Sequence, residues 1–261
     1  GDSTAAGLGV NDPDETMGAL LAAGLAELAE RPVRLTTLAK SGARSTDLHD
    51  QVEAALVAMP QIALIVIGGN DVTHRVRPST SVRLLDEAIR TLQRAGCEVV
   101  VGTCPDLGTI EPIPQPLRWL VRRVSRQLAA AQTIAIVEAG ARSVSLGSIL
   151  GPEFVAAPSD MFAPDRFHPS AAGYAAAAAA ILPSLAGAAG VWPTDEDPPD
   201  ASRGDGVLPV AIAAAAAAEE SGTEVVATQV AGHDRGPRGR WVQLRHRRRS
   251  ALPEPQREPS G

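Results

Sequence analysis

Three short stretches carry residues whose types could together transfer an acyl group. They are Gly1-Asp2-Ser3, Gly68-Gly69-Asn70-Asp71 and Asp165-Arg166-Phe167-His168. A serine hydroxyl is a poor nucleophile unless a base within hydrogen-bond reach takes its proton. Of the five histidines, only His168 follows a carboxylate by three residues and stands just before a candidate helix. Ser3 would attack a carbonyl carbon and His168 would accept its proton. Asp165 would hold the imidazole in the correct tautomer. The Asn70 amide would donate to the developing oxyanion. Each stretch alone has a plainer reading. Gly-Asp-Ser and Gly-Gly-Asn-Asp both make good turns, and Asp165 with His168 would serve as a cap on the last helix. Zinc fits Asp165 and His168 less well, because no third ligand stands at metal-site spacing. His49, His74, His233 and His246 lack such a setting and are read as surface residues.

A fourth stretch, Lys40-Ser41-Gly42-Ala43-Arg44-Ser45-Thr46, lies between the first two. Together the four, in this order, resemble the sequence blocks of the SGNH, or GDSL-type, hydrolase superfamily. The likeness covers about residues 1–186 and is strongest to exported actinobacterial members; Thr4 stands where the family name has Leu. It implies Ser3, Asp165 and His168 as the catalytic residues. It implies an oxyanion hole made by the backbone N–H groups of Ser3 and Gly42 and the side chain of Asn70, with Asp71 bracing that loop. It implies neither a metal nor a cofactor. The implied activity is a serine esterase acting on short-chain acyl or O-acetyl esters through an acyl-enzyme. Lysophospholipase and thioesterase activities are alternatives inside the family. Outside catalysis, the alternative is a cell-envelope binding protein on a decayed hydrolase fold. An α/β-hydrolase is disfavoured, since no serine has glycines at both offsets of Gly-x-Ser-x-Gly.

These residues need elements to position them. Met17, Leu20, Leu21, Leu25 and Leu28 recur at helical spacing and predict a helix over about 14–30. Val33–Leu38 reads as a short strand. Thr46 is placed to cap a helix whose stripe is Leu48, Val52, Leu56 and Met59. Ile62–Ile67 is a continuous apolar run, as in a parallel strand buried on both faces. Ser79 or Ser81 starts a helix with Val82, Leu85, Ile89 and Leu92 inward, and Glu98–Thr103 is the next strand. Pro105–Pro116 is a long Pro-rich loop placed to border a substrate. Leu117–Gln132 reads as a helix, Thr133–Glu138 as a strand, Ser143–Pro164 as irregular, and Ser170–Leu185 as the closing helix. Alternating strands and helices predict an α/β fold with a parallel sheet between helical layers. The resemblance makes this a three-layer, flavodoxin-like α/β/α sandwich over 1–186. Residues 187–206 read as a linker. Residues 207–261 form an extension with an Ala-rich helix over Val207–Glu220, a strand over Thr223–Val230 and a basic tail from Gly232 expected to be disordered.

Composition narrows the partners. A net charge of −6 disfavours a nucleic-acid binder. Aromatics are scarce at 3%, so no sugar-stacking platform is evident. Cys97 and Cys104 flank a predicted strand. At about 3.3 Å per residue it would hold them well beyond disulfide reach, so both are expected free. No apolar run reaches the roughly 20 residues of a membrane span. The tail, Arg235 to Arg249 with Trp241, Val242 and Leu244, reads first as solvated and flexible, with weak adhesion to an anionic membrane as the alternative. The expected partner is a small ester, and the expected state is a monomer. In the family the nucleophile ends a central first strand, whereas here Gly1 opens the sequence. The expectation is a longer natural protein, exported or envelope-associated, with that strand before Gly1. The present chain would be less stable than such a version.

Overall fold

The computed structural model describes residues 1–110 and 112–191, together with the backbone of 224–225, 229–230 and 233–234. The linker from residue 192, the helix expected over 207–220 and the arginines of the basic tail lie outside the described residues.

The sheet runs β1 (Ile62–Val66), β2 (Glu98–Gly102), β3 (Arg142–Val144) and β4 (Glu224–Val225), in that order and all parallel. A separate antiparallel pair joins Gln229–Val230 to His233–Asp234. Side chains alternate across each strand. Val66, Val100 and Val144 face one layer, with Met17, Leu21, Tyr174, Ala177 and Ile181. Ile65, Val99 and Val101 face the other, with Leu48, Val52, Leu85, Ile89, Leu92 and Ile136. Two helical layers therefore cover the sheet, and the expected three-layer α/β/α sandwich is present.

The first layer holds α2 (Met17–Ala29) and α10 (Ala171–Ala188), which pack on each other. Local caps set where they begin. Thr16 Oγ1 accepts from Ala19 N, and Ser170 Oγ accepts from Gly173 N, so each satisfies a donor left over at a helix start. By length and hydropathy α10 could cross a membrane, but its larger share is buried in this core. The second layer holds α3 (Leu48–Val57), α5 (Pro78–Arg94) and α6 (Leu117–Glu138). Cys97 and Cys104 are both free and buried.

Several segments differ from expectation. Thr133–Glu138 is the end of α6, not a strand. Thr133, Ala135 and Ile136 are buried while Ile134 is 60% exposed, which is helical spacing on a surface helix. Gly140, at φ 73°, turns the chain into β3 instead. The supposedly irregular 143–164 contains β3 and three short helices, α7 (Leu146–Ile149), α8 (Gly151–Ala156) and α9 (Pro158–Met161). Val33–Leu38 forms no strand, because it has no ladder partner among the described residues. Only Lys40, just beyond it, bonds as a strand end would, its N–H donating to Gly1 O at 3.1 Å. Asp2 N in turn donates to Val66 O at 3.1 Å. Gly1 and Asp2 thus bridge the Lys40 segment and the carboxyl end of β1. β4 lies at the opposite edge of the sheet, beside β3. Thr46 does not cap α3. It lies in a 3-10 turn, Ser45–Asp47, closed when Arg44 N donates to Asp47 Oδ2. Met59 is 85% exposed, because α3 ends before it.

Candidate active site

The candidate side chains gather at the carboxyl end of β1, where open parallel sheets bind ligands. Ser3 opens a single-turn helix, α1 (Ser3–Ala6), directly beside the end of β1. Its N-cap is Asp2, whose Oδ1 accepts from Thr4 N at 3.0 Å. His168 sits in the loop before α10. A backbone bridge between Phe162 and Pro169 closes that loop.

The structure brings the three expected catalytic side chains together. His168 Nε2 lies 3.1 Å from Ser3 Oγ, and His168 Nδ1 lies 2.6 Å from Asp165 Oδ2. Asp165 Oδ1 also accepts from the backbone N–H groups of Phe167 and His168, at 2.9 and 3.0 Å. Partial burial pushes the Asp165 carboxyl up, but these three donors outweigh it and hold it below the ordinary aspartate range. An ionised Asp165 then favours the Nδ1–H tautomer of His168. That leaves Nε2 with a lone pair aimed at the serine hydroxyl.

Asn70 lies in a short helix, α4 (Gly69–Thr73), rather than in a free turn. Gly68 adopts φ 134°, which only glycine takes easily, and makes the sharp turn out of β1. Asn70 Nδ2 donates to Ala43 O at 3.0 Å. One amide hydrogen is thereby engaged and the amide plane is held, while the second hydrogen stays available. Among the described residues the Ser3 N–H has no acceptor, as is usual at a helix start. Gly42 sits in an exposed left-handed turn at φ 78° and does not line the cleft beside Ser3.

Asp71 is fully buried and braces this region. Both of its oxygens accept from Ser45 N, at 3.2 and 3.1 Å, and Ser45 Oγ bonds Ser81 Oγ at 2.7 Å. Burial raises its pKa, and the Ser45 and Ser81 bonds oppose that rise. Sequence reasoning missed a second brace, Gln132. Its Nε2 donates to Ile67 O at 3.1 Å and its Oε1 accepts from Cys104 N at 2.8 Å. One buried amide thus ties together the ends of β1 and β2. A signal was available, namely a polar residue in the middle of an apolar helical face.

A cleft of about 880 Å³, counted out to its open mouth, runs from Ser3, Asn70 and His168 into the molecule. Its far wall is apolar, with Leu107, Ile110, Leu146, Leu150, Phe154 and Phe162. The Pro105–Pro116 loop does border it, through Pro105 to Ile110. All three phenylalanines of the chain, Phe154, Phe162 and Phe167, line it. Phe154 and Phe162 meet edge to face at 4.8 Å between centroids, and Phe167 meets the His168 ring at 4.9 Å. Their crowding into 154–167, in a chain so poor in aromatics, was the legible sign of this wall.

Residues 1–176 match the family described as GDSL-like Lipase/Acylhydrolase. The chain belongs to that family. This GDSL-like chain is 46% identical over 187 residues to the GDSL-like esterase Rv1075c of Mycobacterium tuberculosis. The matched stretch is 71% of this chain and 60% of that relative's length. Among solved structures, the fold is similar to LAE5, an alpha/beta hydrolase enzyme from the metagenome of Lake Arreo, Spain. The TM-score is 0.57 at 20% identity, covering 73% of this chain and 92% of that one. It is also similar to a variant of Axe2, an acetyl-xylooligosaccharide esterase of Geobacillus stearothermophilus. There the TM-score is 0.54 at 20% identity, covering 69% and 89%. Among the described residues of this GDSL-like chain, no cluster of three or more His, Cys, Asp or Glu could hold a metal.

Asp2 makes stability depend on pH as well as capping α1. It is 4% exposed, and burial pushes its carboxyl from 3.8 up to about 6, against the pull of the Thr4 N–H. A carboxyl with a raised folded pKa favours the fold while it is protonated. That contribution is fully present below pH 3.8 and is lost as pH rises through about 6. The shift corresponds to about 3 kcal/mol. Asp2→Asn should therefore melt higher than the parent at pH 8, with the gain vanishing near pH 4. Melting curves across that range test this. A gain independent of pH would assign the effect to packing.

Proposed function

We propose that this chain is a serine esterase that hydrolyses short-chain acyl or O-acetyl esters through a covalent acyl-enzyme. The observation that carries this reading is the unbroken relay from Ser3 Oγ through His168 to Asp165, at 3.1 and 2.6 Å. Ser3 Oγ attacks the ester carbonyl as its proton passes to His168 Nε2. The tetrahedral oxyanion takes hydrogen bonds from the Ser3 N–H and the free Asn70 amide hydrogen. The imidazolium, steadied by Asp165, then protonates the leaving alkoxide. Water attacks the acyl-enzyme by the same route in reverse order. The esterase designation of the Mycobacterium tuberculosis relative agrees with this chemistry.

The apolar wall beyond Ser3 suits the acyl group better than a sugar. Each methylene buried there is worth about 0.8 kcal/mol, or roughly fourfold in kcat/KM, until the recess is filled. A p-nitrophenyl ester series from acetyl upward, with acetylated sugars alongside, should show that rise and then a fall. Phe154→Ala should move the optimum to longer chains. A flat series, with acetylated sugars turned over fastest, would remove the acyl-pocket reading. Labelling by an active-serine phosphonate, lost in Ser3→Ala, tests the nucleophile separately.

A further inference from the structure

The exposed apolar residues of α6 have no role in the chemistry above. Leu117, Trp119 and Leu120 are 48%, 59% and 49% exposed, all in its first turn. Arg118 lies in the same turn, Arg122, Arg123 and Arg126 follow within two more, and no acidic residue occurs between Leu117 and Val137. The chain as a whole carries −6, so this basic stretch is a local feature.

Topology puts the stretch beside the cleft. α6 leads into β3, so it runs antiparallel to the strands, and its first turns lie at their carboxyl ends. It packs on the 3-10 turn Leu107–Thr109, which lines the cleft. Among the described residues, the carboxylate paired with it there is Asp106, which meets Arg122 at 3.4 Å and Arg126 at 2.7 Å. Arg118 Nε donates to Ile113 O at 2.9 Å. Arg123 sits over the Trp119 ring at 5.8 Å, so its cation rests on an aromatic face that is itself exposed.

We infer that the first three turns of α6 are a docking face for an anionic lipid bilayer. Trp and Leu enter the headgroup boundary, where amphipathic rings are favoured. Arg123, stacked on Trp119, presents its guanidinium group to phosphate, while Arg122 and Arg126 stay paired with Asp106. In that pose the mouth of the cleft, flanked by the half-exposed Phe167, turns toward the lipid. The docking does not rest on the esterase reading, since binding can be measured without turnover.

The test is co-sedimentation of the full chain with phosphatidylcholine vesicles, with and without about 30 mol% phosphatidylglycerol. Binding should need the anionic lipid. Trp119→Ser/Leu120→Ser/Arg123→Ser should weaken it by about tenfold or more, with an unchanged melting temperature and unchanged hydrolysis of p-nitrophenyl acetate. Arg123→Glu alone should weaken it in the same direction. Replacing Arg245, Arg247, Arg248 and Arg249 by Ser in the full chain should leave most of it. No binding, equal binding to both vesicles, or loss confined to the tail variant would overturn the assignment.

Discussion

Ser3→Ala should lose nearly all ester hydrolysis, and Ser3→Ala/His168→Ala should be little worse than either single change. The relay explains both results. Ser3 Oγ, His168 and Asp165 are joined by contacts of 3.1 and 2.6 Å, so the hydroxyl is activated only through the ring. Removing either member removes the whole covalent route, on the order of 10⁴–10⁶ in kcat. The residual rate would come from binding and the oxyanion donors, which both variants keep. Turnover of p-nitrophenyl acetate, with melting temperatures to confirm folding, decides it. A folded Ser3→Ala that keeps most of its activity makes the assigned nucleophile wrong. Losses that simply multiply would mean that Ser3 and His168 act in separate steps.

Asn70→Ala should lower kcat by about 10²–10³, equivalent to roughly 3–4 kcal/mol, with little change in KM. The amide hydrogen not used by Ala43 O is the donor at stake. Asn70 lines the cleft with Ser3, and as an oxyanion donor it would contribute more in the transition state than with bound ester. The Ala43 contact is lost as well, and that loss would loosen the turn carrying Gly42. Measuring kcat and KM separately resolves the two effects. An effect confined to KM would make Asn70 a ground-state binding residue. Asp71→Asn gives a comparison, because it perturbs the Ser45 brace while leaving the amide in place.

The local chemistry was legible along the chain. Ser3, Asn70, Asp165 and His168 stand out as candidates because acyl transfer needs particular atoms, and few residue types supply them. Ile62–Val66 and Glu98–Gly102 were legible as well, since a strand buried on both faces reads as a near-continuous apolar run, here Val99–Val101 behind an exposed Glu98. So was α10, with Ser170 as its cap and an Ala-rich run behind it. Thr133–Glu138 was not. A short run of β-branched and apolar residues satisfies a strand and a half-buried helix equally well, until its neighbours choose the buried face. Here Gln132, reaching across to Ile67 and Cys104, and Ile136, packed under the sheet, settle it as helix. Val33–Leu38 failed in the opposite way. Its composition suits a strand, but a strand exists only by pairing, and no partner lies beside it among the described residues. The cleft wall was legible only in the crowding of its three phenylalanines. Leu107, Leu146, Phe154 and Phe162 come from a 3-10 turn, two short helices and the residue after a third, and nothing local tells them that they face the same space. Sequence alone named the atoms proposed to react. Only the tertiary structure decided what surrounds them, because packing between distant segments carries no local signal.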